Sequence, residues 1–291
     1  MANKQHTLQS EQALPRGLIN QQTGGACQAM PAHIRQRYED IAQDSRYQHF
    51  VRIPPRIVRC LDYFGMKFSR TIVRERLLAY YLFIGVVDET LDFGNLNIGK
   101  SVLEHFERPF SCVDEQAAAS TVELVTEVLK RHITDENRCL ISVRLAELYR
   151  EVVGEQAATS IKTYIEHRKT IGSRTAELSY ILIQDLLSGD VGGLCRLMKQ
   201  AGRVGCLVDS VIDLNMDWRL GLLRFRPSAR DRITLTAGAL REGVRTLLQY
   251  PSLAAVFLAA LVDNSMDPLR MTRAASVLIN AETKDEVAGV I

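Results

Sequence analysis

The chain has 291 residues, 46% of them hydrophobic and 24% charged, a globular composition that excludes disordered, collagen-like and coiled-coil proteins. Its 36 Lys and Arg stand against 34 Asp and Glu for a formal net charge of +2, so bulk charge carries no footprint for nucleic acid and none is expected as a partner.

Six cysteines, Cys27, Cys60, Cys112, Cys139, Cys195 and Cys206, are scattered without a C-x-x-C pair, which speaks against a zinc site and for free thiols in a reducing cytoplasm. The opening residues, MANKQHTLQSEQALPRG, lack the apolar stretch of a secretory signal, and a cytoplasmic protein is the expectation. The longest apolar runs, residues 77–87 and 253–262, are about half of the ~20 residues needed to cross a bilayer. No transmembrane segment is expected, while peripheral contact with a membrane stays open.

In chain order, residues 1–30 are Gln- and Gly-rich without periodicity and read as a mobile N-terminal arm. Residues 31–291 read as one all-α domain. No proline occurs between Phe110 and Arg226, apolar residues recur at helical spacing (Val122, Leu124, Val125, Val128, Leu129; Ile141, Leu145, Leu148), and hairpin turns and phosphate-binding glycine loops are missing. Breaks are expected at Pro54-Pro55, residues 92–95, Arg108-Pro109, Gly154, residues 188–193, Arg226-Pro227, Pro251 and Pro268, marking out about eight or more helices.

Chemistry is expected where acids interrupt apolar helices. In LLAYYLFIGVVDETLD, residues 77–92, Asp88 and Asp92 are one turn apart on a helix apolar nearly all round. Like charges so placed repel, and the cost grows on desolvation, so a cation should sit between them. In GRVGCLVDSVIDLNMD, residues 202–217, Asp209, Asp213 and Asp217 follow each other at intervals of four. They form one stripe about 12 Å long, suited to more than one divalent ion, and hard oxygen ligands select Mg2+ over zinc or copper. Lysines, which a solvated face would carry in exchange, are absent there. Gly205 precedes Asp209 by one turn and Gly85 precedes Asp88 by three residues. Two such helices facing each other would enclose an apolar cavity with carboxylates at its mouth.

Paired acidic helices over an apolar cavity resemble the class I isoprenoid synthase superfamily. The wording YLFIGVVDETLD (81–92) and GCLVDSVIDLNMDWRLG (205–221) is similar to the two aspartate-rich helices of its squalene/phytoene synthase branch. The second stretch also has the spacing of the Asn/Ser/Glu metal triad of terpene cyclases. The likeness covers about thirty residues closely and the remainder as an order of helices. It implies the isoprenoid synthase fold, a helical bundle around a central cavity, and Mg2+ ions held by Asp88, Glu89, Asp92, Asp209, Asp213 and Asp217. It also implies a prenyl diphosphate substrate, with Tyr164, Arg168, Arg174 and Arg219 as diphosphate contacts and Arg224 as a further candidate. The implied chemistry is loss of diphosphate to an allylic cation, which aromatic residues such as Tyr81, Phe83, Tyr164 and Tyr180 could face. Asp88, Asp92, Asp209, Asp213, Asp217 and Arg168 are the catalytic set.

Departures narrow the reading. Gly85 and Leu222 stand where squalene and phytoene synthases carry arginine. Their loss weighs against coupling of two prenyl diphosphates and toward a one-substrate cyclase of the tetraprenyl-β-curcumene synthase kind. A two-substrate prenyltransferase and a non-catalytic helical binding protein are the alternatives, and homodimerisation suits a helical enzyme of this size. A di-iron bundle is set aside because no histidine follows a glutamate by three residues.

Overall fold

The computed structural model describes residues 30–92, 97–107, 120–189, 193–251 and 254. The expected arm, save residue 30, and the break at Pro268 therefore lie outside the described residues. Within them the protein is all-α, a helical bundle without strands, whose one isolated bridge pairs Lys67 with Ser188. No described helix is long and apolar enough to cross a membrane.

The helices are α1 (Ala32–Gln43), the short α2 (Gln48–Val51), α3 (Ile53–Tyr63), α4 (Arg70–Asp92), α5 (Ile98–Glu107), α6 (Thr121–Lys130), α7 (Asp135–Gln156), α8 (Ile161–Ile183), α9 (Leu194–Arg219) and α10 (Ala229–Gln249). Local chemistry sets their ends. Pro54 and Pro55 occupy the first turn of α3, where proline lacks a hydrogen only where none is needed. Ser120 with Glu123 and Ser228 with Asp231 form reciprocal capping boxes that start α6 and α10, and the Ser160 hydroxyl accepts the Thr163 amide at the start of α8. α9 stops where Gly221 takes a φ of +75° and the Leu222 amide closes back on the Asp217 carbonyl at 2.9 Å. One expected break is corrected: Gly154 lies inside α7, and its missing side chain leaves room for the His167 ring of α8.

α8 is the hub, packed on α7, α9 and α4, and α10 closes against α9. Its partners run antiparallel to it. On α4, the Tyr80 hydroxyl donates to the Thr175 carbonyl at 3.0 Å and Arg76 donates to the Leu182 carbonyl at 3.0 Å. On α9, Gly202 meets Gly172 so closely that a Cβ on either would strike the other's carbonyl. The large apolar core gathers around α4, α6 and the C-terminal half of α8, with Leu77, Leu82, Leu129, Leu178 and Leu182 fully enclosed. A second core, including Tyr164, Leu207, Leu214 and Leu235, joins the N-terminal half of α8 to α9 and α10.

Candidate functional site

The acids of α4 and α9 reach the same level of α8. α4 runs antiparallel to α8 with Tyr80 against Thr175, and two turns on Asp88 lines one cavity together with Ile171 and Thr175. On the other flank, the α8–α9 register from the Gly172–Gly202 crossing brings Arg168 to Asp209, with Nη2 3.5 Å from Oδ2. The Cys206 thiol feels both groups: burial pushes it up to about 12, with Glu155, Asp209 and Asp88 adding and Arg168 opposing.

Arg168 is the centre of this arrangement. Its Nε donates to the Ser210 hydroxyl at 2.7 Å, Nη1 to Glu155 at 3.2 Å, and Nη2 to the Cys206 carbonyl at 3.4 Å. Burial on its own would depress the guanidinium, but Cys206, Glu155, Tyr164 and Asp209 hold it well above the usual range, so the charge is permanent. Beside it, Tyr164 is fully buried with its ring edge-on to Phe225 at 6.2 Å, and burial raises its hydroxyl. That hydroxyl leans toward Ser210 without hydrogen-bond geometry.

Burial, and then Asp213, lifts the Asp217 carboxyl to about 7, with Glu155 and Asp209 adding and Arg168 opposing. Arg168 thus stands beside Glu155 and Asp209, with Asp213 and Asp217 further along the same stripe of α9. The raised Asp217 carboxyl suits an oxygen-seeking divalent cation, which binds such donors and restores the ionised form. Because the three aspartates of α9 are spread along about 12 Å of helix, they suit ions distributed along the stripe. Among the described residues, no three His, Cys, Asp or Glu side chains close into one ready-made ligand set.

Asp88 and Asp92 are exposed at the end of α4. Asp88 borders a cavity of about 90 Å³ bounded by α4, α5, α7 and α8, with Phe83, Leu103, Leu148 and Tyr149 among its walls. Glu89, one residue round the helix, turns elsewhere. It accepts a hydrogen bond from the Tyr47 hydroxyl and another at 3.1 Å from Arg46, which ties it to the turn before α2.

No family model, curated protein or solved structure matches the chain. Geometry alone therefore assigns the remaining expected residues.

Arg174 pairs with Glu177 at 2.9 Å and Glu147 at 3.2 Å, in a network with Arg144 and Lys199. That network lies more than a turn along α8 from Arg168, and the structure does not bring Arg174 to the α9 stripe. Arg219 and Arg224 are exposed after Asp217. Tyr81 bonds Ser179 at 2.9 Å and Phe83 packs edge-on against Phe106 at 5.7 Å, both within the large core, while Tyr180 is partly buried beside it. Gly85 is filled by the Phe50 ring, whereas a Cβ on Gly205 would meet nothing within 4 Å. Sequence reasoning missed Glu155 and Ser210. Ser210 had a signal, since it sits inside the aspartate stretch; Glu155 had only its place beside a glycine.

Proposed function

We propose that this protein is a Mg2+-dependent class I terpenoid synthase that ionises an allylic prenyl diphosphate and cyclises or rearranges the carbocation. The observation that carries the reading is that Asp209 approaches Arg168 of α8 to 3.5 Å while Asp88 shares a cavity with Ile171, about one turn along the same helix.

Asp88 and Asp92 on one side and Asp209, Asp213 and Asp217 on the other would hold the Mg2+, whose chemistry is to neutralise the diphosphate as it leaves. Arg168 binds the same leaving group from α8, and Glu155 and Ser210 position it through their hydrogen bonds. The allylic C–O bond breaks with both electrons going to the diphosphate, which leaves the cation in the hydrocarbon. The apolar walls beside Asp88 keep water from quenching it. The absence of arginine at Gly85 and Leu222 supports a single substrate over coupling of two. Cytoplasmic location and homodimerisation belong to the same reading.

Diphosphate release from geranyl, farnesyl and geranylgeranyl diphosphates, with and without Mg2+, tests it. The parent should release diphosphate only with Mg2+, and Asp88→Ala and Asp209→Asn should each lower the rate at least about a hundredfold with unchanged thermal unfolding. The mass of the extracted hydrocarbon separates cyclisation from coupling. No release from any substrate, with variants and parent binding Mg2+ alike, would sink the proposal and leave a helical binding protein.

A further inference from the structure

α10 carries apolar residues on the face turned away from the bundle. Ile233, Leu240, Val244 and Leu248 are 70%, 65%, 55% and 78% exposed, and their spacing of seven, four and four gathers them within about 80° of the helix circumference. Leu235, Ala239 and Thr246, on the opposite side, are buried. Arg230, Arg241 and Arg245 are also exposed and run along one edge of the strip. The acids of the helix are engaged elsewhere: Asp231 in the capping box with Ser228, and Glu242 at 3.8 Å from Lys169 of α8. The outward face is thus apolar and cationic.

We propose that this face docks onto the surface of a bilayer rich in anionic lipid, lying in the interface with the leucines among the acyl chains and the arginines at the headgroups. Charge complementarity selects this occupant. Residues 252–262, which follow directly, are apolar and without an acid, the first acids after them being Asp263 and Asp267, so this run answers the leucines and leaves the arginines to another partner. A second copy would set arginine against arginine. Four aliphatic side chains also offer only about 400 Å² by their transfer energies, roughly half of what each partner in a stable dimer buries. An anionic interface answers both chemistries. At the N-terminal end of α10, Arg232 bonds Asn215 of α9, and Trp218 lies under the Arg226 guanidinium with an exposure of 38%. An aromatic half in water and half in apolar surroundings suits the same boundary.

Co-sedimentation of the full chain with vesicles of phosphatidylcholine, alone or mixed with phosphatidylserine, tests the proposal. Binding should appear with the mixed vesicles and weaken with salt. Leu240→Ser with Leu248→Ser should reduce the partition coefficient at least about tenfold. Arg241→Gln with Arg245→Gln should reduce it by roughly fivefold for each arginine, and neutral vesicles should bind weakly. Both variants change exposed side chains, so their thermal unfolding should match the parent.

No binding of the folded parent to mixed vesicles would overturn the proposal. If the leucine variant then also unfolds at lower temperature, the strip belongs to residues 252–262. If the parent instead forms a concentration-dependent dimer that the variant loses, it belongs to a second copy. Equal binding of parent and leucine variant would overturn it as well, reducing the effect to nonspecific charge.

Discussion

The two halves of α8 meet their polar neighbours in opposite ways. Toward its C-terminus each group has a match: Arg76 pairs with Asp185 at 2.7 Å, Tyr80 with the Thr175 carbonyl, Tyr81 with Ser179. Toward its N-terminus one guanidinium is divided among Glu155, Asp209, Ser210 and the Cys206 carbonyl, with Asp217 pushed toward neutrality nearby. The first pattern is what a core needs to satisfy its polar groups. The second crowds acids around one guanidinium and lifts the Asp217 carboxyl to about 7, and carboxyls so perturbed cluster at functional sites.

The largest expected effect tests the joint between the halves. A side chain on Gly202 would strike the Gly172 carbonyl and Ala176, so Gly202→Val should force α8 and α9 apart. The expected cost is about 3 kcal/mol, and the melting temperature should fall by roughly 6–12 °C. An unchanged melting curve would mean the helices do not cross this closely.

The next pair of effects separates the halves by sign. His132, between α6 and α7, is lowered from 6.5 to about 4 by burial, with Arg76 and Arg131 adding. The unfolded chain binds its proton more readily, so the stability it contributes at neutral pH is lost as pH falls from about 6.5 to about 4. Asp217 is raised from 3.8 to about 7; here the folded chain binds the proton more readily, and stability is lost as pH rises from about 3.8 to about 7. His132→Gln should therefore flatten the acid side of a stability–pH curve, and Asp217→Asn should gain stability over the parent above pH 7. Each difference should be about 2 kcal/mol after allowance for solvent screening. Mg2+ should erase much of the Asp217→Asn advantage by stabilising the parent. Curves for the two variants that move in the same direction would break the contrast.

The smallest effect concerns Gly205. Its surroundings are open, so Gly205→Ala should stabilise α9 by up to about 1 kcal/mol, read as a rise of a few degrees in melting temperature. If diphosphate release is also lost, the gap is occupied by substrate; if release persists, the gap has no catalytic use.

Much of this was legible beforehand because it is local. Helix ends follow proline, serine and glycine chemistry within a few residues, and acids at intervals of four must share a face whatever surrounds them. What failed to show was long-range. Gly154 looks like a stop until the His167 ring, brought by another helix, takes its space. Gly85 likewise suggests a gap until Phe50 fills it. Arg174, six residues from Arg168, resembles it in sequence, yet faces Glu147 and Glu177 because 100° steps carry it to another side of α8. Glu155 carries no pattern of its own and matters only because α7 runs antiparallel to α8 at that point.

The places where the two acidic helices end have an electrostatic consequence. α4 finishes on Asp92, and α9 is capped by Gly221 four residues after Asp217. Asp88 and Asp92 on α4 and Asp217 on α9 therefore sit in the last turn of their helices, where backbone carbonyls point outward and the aligned peptide dipoles sum to about half a negative charge, while Asp209 and Asp213 lie further back. Anions there are unfavourable by a few tenths of a kcal/mol or more each, the reverse of the usual preference. α8 runs the other way, so its N-terminus, with the opposite partial charge, lies toward the same end of the bundle. A cation among these acids would be drawn by the carboxylates and by two helix dipoles together, while a phosphate group beside it would face the favourable end of a third.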